Sequence, residues 1–74
     1  MNTSSPRPRG HQRPSSAIQI AMREYLARYG ENAALAHFGL SRLSIARAAA
    51  GMLLQGGTIL AIEDGLARAR ERDA

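Results

Sequence analysis

Gly39-Leu40-Ser41-Arg42-Leu43-Ser44-Ile45-Ala46-Arg47 is the stretch that decides how this chain folds. A glycine at position 39 lets the backbone reverse sharply between two short helices, because glycine adopts positive φ at little steric cost. Leu40 follows as an apolar plug for the core, and Ser41 is an N-cap for the next helix. Helical spacing sends Ile45 and Ala48 inward with Leu40, and Arg42, Ser44 and Arg47 outward. This is the layout of a turn and an exposed second helix, as in a helix-turn-helix whose second helix lies in the DNA major groove.

The same stretch resembles the Gly-Val-Ser-x-x-Thr-Val-x-Arg pattern of Lac-type and phage-repressor-type DNA-binding domains. Leu40, Ser44 and Ile45 stand where that pattern has Val, Thr and Val. The likeness runs from Glu31 to about Met52 and is loose elsewhere. It implies an all-α, four-helix, repressor-like helix-turn-helix domain. The family usually places a small residue, often alanine, four positions before the turn glycine. Here that position is Leu35, between Ala34 and Ala36. Either Ala36 makes the close helix contact through a slightly shifted helix, or the two helices cross more widely.

A chain of 74 residues is one domain. At this size it buries only about 60% of its unfolded surface, so dimerisation is an attractive source of further burial. There is no cysteine for a disulfide or thiolate metal site, and His11 and His37 are too few and too far apart for zinc. No cofactor is expected. Met1 to Ser16 lacks the apolar run of a signal peptide, and no segment approaches the ~20 apolar residues of a membrane span. The expectation is a soluble, cytoplasmic protein with no membrane role. All ten basic residues are arginine, and the formal charge is +4. The excess lies in the first sixteen residues, which hold Arg7, Arg9 and Arg13 and no acid.

That segment, 1–16, also carries all three prolines and reads as a disordered basic arm, with the helical domain at 17–74. Arg7, Arg9 and Arg13 suit phosphate contact or entry into an A·T minor groove. A first helix is predicted over Ala17–Tyr29, with Ser16 and Gln19 as a capping box. Its inner face is Ile18, Met22, Tyr25, Leu26 and Tyr29; Glu24 and Arg28 form an i,i+4 pair, and Gly30 ends it. A second helix spans Asn32–Phe38, capped by Asn32, with Leu35 and Phe38 inward and His37 outside. A third spans Arg42–Ala50, ended by Gly51. Met52 to Gly57 reads as an apolar loop, and Thr58 caps a fourth helix over Ile59–Arg70. That helix turns Ile59, Ile62, Leu66 and Ala69 inward, pairs Asp64 with Arg68, and carries Gly65 at a cost of up to ~1 kcal/mol. No strand pattern and no repeat is visible.

On the outer face of the third helix, Arg42 and Arg47 are the groups able to hold guanine bidentately, while Leu43 and Ala46 suit a thymine methyl and Ser44 a base or phosphate. Phosphate contacts are expected from Ser41, Asn32, Gly57 and Thr58, near helix starts that favour anions. Leu53, Leu54, Leu60 and Ile20 are left over for a dimer contact, with the loop and fourth helix preferred. No catalytic, nucleotide-binding or metal-ligand motif is present, so an enzyme is not expected. The composite expectation is a sequence-specific transcriptional regulator, most simply a repressor on a palindromic operator of double-stranded DNA, bound as a homodimer and without a small-molecule ligand. Two rivals stand beside it. One is a protein-interaction module, such as an antitoxin or adaptor. The other is an architectural DNA-binding protein with little sequence preference.

Overall fold

Four helices carry the fold in the computed structural model, which describes residues 10–73. They are α1 (Ser16–Tyr29), α2 (Glu31–Phe38), α3 (Arg42–Ala50) and α4 (Gly56–Asp73). The expected all-α, four-helix class is the one observed. Two short strands, β1 (His11–Gln12) and β2 (Leu54–Gln55), accompany them.

Local signals place α3 where the spacing predicts it. Ser41 Oγ accepts the Ser44 N–H at 3.2 Å, and Gly51 ends the helix in the left-handed region. The other helices start earlier than expected. Ser15, not Ser16, caps α1 by accepting the Ile18 N–H at 3.2 Å. Gln19 therefore completes no capping box; its amide donates to the Pro14 carbonyl at 3.2 Å. Asn32 is not a cap either, because α2 begins at Glu31 directly after Gly30. Gly30 has φ 91° and ψ 167°, a region open essentially to glycine alone, and this lets one residue end α1 and start α2. Gly57 and Thr58 lie inside the first turn of α4, not in a loop and a cap.

The strand pair has no counterpart in the periodicity of the chain. His11 pairs with Gln55 and Gln12 with Leu54, antiparallel. Two residues per strand are too few to show alternation, so the pairing is legible only in three dimensions. It ties the chain before α1 to the segment between α3 and α4, and Pro14 is buried beside it. The stretch 10–16 thus belongs to the fold and not to a free arm. Arg7 and Arg9 lie outside the described residues.

Met22 and Tyr25 of α1, Ala34 and Phe38 of α2, Ile45 and Ala48 of α3, Leu54, and Ile59, Ile62 and Ala69 of α4 form the core. Ala34 is fully buried while Ala36 is exposed, so Ala34 makes the close contact of α2 and Leu35 sits half-buried beside it. Leu54, assigned from sequence to a dimer surface, is a core residue at 4% exposure. Its apolar side chain turns inward because β2 is pinned to β1.

His37 is not on the exterior. It is half-buried, its ring lies 5.3 Å from that of Tyr25 and 5.0 Å from that of Phe38, and its Nε2–H donates to the Gly65 carbonyl at 2.7 Å. Gly65 is the reason α4 can approach α2 so closely: a Cβ there would run into the Phe38 ring. Arg68 reinforces the seam. It pairs with Asp64 at 3.1 Å as predicted, and donates to the His37 carbonyl at 3.3 Å. Glu24 and Arg28 do not form the expected ion pair. No helix among the described residues is long and apolar enough to cross a membrane.

Candidate nucleic-acid interface

Three residues, Gly39 to Ser41, connect α2 to α3. Gly39 has φ 68° and ψ 31°, the left-handed region that costs other residues about 1–2 kcal/mol. Its N–H donates to the Leu35 carbonyl at 3.0 Å and closes α2. Leu40 tucks half-buried against the core, as its apolar side chain demands. Ser41 then opens α3. Ile45 and Ala48 bury one side of that helix, and Arg42, Leu43, Ala46, Arg47 and Ala50 are exposed on the other.

The base-reading candidates are not equivalent in this geometry. Arg47 is exposed and has no hydrogen-bond or ion-pair partner among the described residues. Arg42 is exposed as well, but its Nε lies 3.5 Å from Glu31 Oε1. A pair so solvated contributes little to stability, so a stronger anion can displace Glu31. Leu43 and Ala46 share the face of Arg47. Ser44 lies at the inner edge, half-buried, where its Oγ accepts from Ser41 Oγ at 3.1 Å. Ser41 itself is exposed, with its oxygen used as the cap.

Of the other phosphate candidates, Asn32 is exposed in the first turn of α2, Gly57 is exposed and Thr58 half-buried in the first turn of α4. Arg13 is turned to the protein: Nη1 lies 3.4 Å from the Gly51 carbonyl. Arg23, to which the sequence pattern assigns no role, donates from Nε to the Ala49 carbonyl at 2.8 Å. Two guanidinium groups therefore meet the C-terminal end of α3, where unpaired carbonyls and the helix dipole favour positive charge. Both reach there from distant sequence, and no local spacing signals them. The effect is a rigidly held α3 with Arg42 near its start, Arg47 on its open face, and Arg13 and Arg23 at its end. Glu31 is the one carboxylate in an ion pair with α3 among the described residues.

Three large apolar side chains are exposed on α3 and just after it: Leu43 near its start, and Met52 and Leu53 past its end. Leu43, Met52 and Leu53 are 58%, 51% and 47% exposed. Among the described residues no group of three or more His, Cys, Asp or Glu side chains is placed to hold a metal ion. Neither a protein-family model, nor a curated protein, nor a solved structure matches this chain.

Proposed function

We propose that the chain is a sequence-specific DNA-binding regulator that lays α3 in the major groove, most simply a repressor on a palindromic operator. The observation that carries this reading is Arg47. It projects without an intramolecular partner among the described residues from the open face of a short helix whose other face, Ile45 and Ala48, is locked into the core. Small neighbours, Ala46 and Ala50, leave room for the helix to approach base edges. The likeness of Gly39 to Arg47 to Lac-type and phage-repressor-type turns points the same way.

Selection from a random pool of DNA duplexes, followed by binding assays on the enriched site, tests it. Arg47→Ala should weaken specific binding by ~1–3 kcal/mol, about 5- to 150-fold, with an unchanged circular dichroism spectrum. Enrichment of no sequence, with equal binding to all duplexes, would favour the architectural role; no DNA binding at all would overturn the proposal. Arg42→Ala separates base from backbone contact: a loss confined to the selected site marks a base, and a uniform loss marks phosphate.

Residues 1–9 hold Arg7 and Arg9 and no acid. Removing residues 1–9, which leaves β1 in place, should lower affinity and flatten its salt dependence. Each phosphate no longer neutralised takes about 0.9 from the slope of log affinity against log salt. An identical slope with and without these residues would show that they touch no phosphate.

Leu43, Met52 and Leu53 favour a second reading. Three large apolar side chains exposed together with α3 suit a protein partner, as in an antitoxin or adaptor. Under that reading Leu53→Glu abolishes partner binding, while under the DNA reading it leaves the affinity for the enriched site within about twofold.

A further inference from the structure

We propose that the groove between α1 and α4 is the interface of a two-fold homodimer, closed by the same groove of a second copy. This inference supplies the symmetry that a palindromic site asks for, but it stands without DNA and is tested without it.

The two helices run side by side in the same direction. Their N-terminal ends are tied by the β1–β2 pairing, His11 to Gln55, and their C-terminal ends meet where the Arg72 guanidinium lies 5.8 Å from the Tyr29 ring. The groove between them holds about 650 Å³ over an apolar floor that includes Ile18, Tyr25, Leu66 and Ala69. Its rims are charged: Glu24 and Arg28 on α1, Glu63 and Arg70 on α4.

Position along the helices sorts these charges. With a rise of about 1.5 Å per residue, both glutamates lie ~11 Å from the starts of their helices and both arginines ~20 Å. The face is therefore acidic at one level and basic at the next. None of the four has an ion-pair partner among the described residues; Arg28 rests over the Tyr29 ring at 5.3 Å. A two-fold axis lying in such a face and running across the helices brings two copies together with their helices reversed. It lays the glutamates of one copy over the arginines of the other, twice. Any other occupant would have to carry that pattern independently, whereas a second copy of this chain carries it by symmetry.

Of the four dimer residues read from sequence, Ile20 and Leu60, 52% and 60% exposed, lie in the N-terminal halves of α1 and α4 but do not line this groove. Leu54 is excluded by its burial, and Leu53 lies with the exposed end of α3. The opposite side of α1 holds α3 through Arg23, so the dimer leaves Arg42 and Arg47 open.

Sedimentation equilibrium of the full chain at micromolar to sub-millimolar concentration should give twice the 8.0 kDa chain mass. Two double variants then test the pattern. Glu24→Arg with Glu63→Arg makes the face wholly basic; Arg28→Glu with Arg70→Glu makes it wholly acidic. All four positions are exposed, so both variants should keep their helical spectrum. Each alone should be monomeric, with dimer dissociation constants raised at least tenfold. Mixed one to one they should recover a dimer, because a basic face then meets an acidic one. A monomeric wild-type protein overturns the proposal. So do variants that each remain dimeric, or a mixture that stays monomeric. Dissociation by Leu53→Glu in place of the charge variants would put the interface at the end of α3. Loss of DNA binding with the dimer intact leaves this proposal standing and sinks the DNA reading instead.

Discussion

Replacing Ile45 with alanine is expected to unfold most of the domain and abolish DNA binding with it. Ile45 is 1% exposed and faces away from the proposed DNA surface. Truncating a buried isoleucine costs about 2–5 kcal/mol, from forfeited transfer energy and the cavity left behind. A core in a chain this small supplies only about 3–5 kcal/mol of net stability. The two quantities are comparable, so little folded protein should remain at 37 °C. Thermal melting followed by circular dichroism gives the readout. A loss of 2 kcal/mol lowers the midpoint by roughly 8–16 °C in a domain of this length. The contrast with Arg47→Ala is the informative part. One residue on the inner side of α3 should remove fold and binding together, and one on the outer side should remove binding alone. A wild-type melt for Ile45→Ala would mean that α3 is not anchored through this side chain.

The second large effect is expected at Gly65, and local propensity predicts the opposite sign. Glycine within a helix is less favourable than alanine by ~1 kcal/mol, so Gly65→Ala should stabilise α4 if nothing else mattered. The structure places the Phe38 ring where the new methyl would go. That ring is hemmed by Tyr25 and His37, with centroids 5.1 Å and 5.0 Å away, so it has little room to yield. Overpacking of this kind costs about 1–3 kcal/mol. Displacing α4 instead would lengthen the 2.7 Å bond from His37 to the Gly65 carbonyl. The net expectation is destabilisation, visible as a lower melting midpoint. Gly65→Ala combined with Phe38→Leu should recover part of it relative to the sum of the single changes, since the smaller side chain vacates the contested space. A higher midpoint for Gly65→Ala alone would show that α2 and α4 do not press together at this point.

These two residues mark what can be read locally and what cannot. Residues 39–51 contain their own instructions. Gly39 permits the reversal, Ser41 caps, Ile45 and Ala48 repeat at helical spacing, and Gly51 stops the helix. Each acts within four residues of itself, so α3 and the outward position of Arg47 follow from the sequence alone. The same holds for the inner face of α4 and for the Asp64–Arg68 pair. Apart from the shifted helix starts and the unmade Glu24–Arg28 pair, the departures involve partners far apart in the chain. His11 and Gln12 find Leu54 and Gln55; Arg13 and Arg23 find the end of α3; His37 finds Gly65; Arg42 finds Glu31. Leu54 left a supposed surface for the core, and the groove lined by Glu24, Arg28, Glu63 and Arg70 exists only because α1 and α4 lie side by side. Periodicity and capping report the interactions of a helix with itself, whereas the pairing of helices is decided by shape, and a glycine that looks like a defect along the chain becomes the point where two helices can touch.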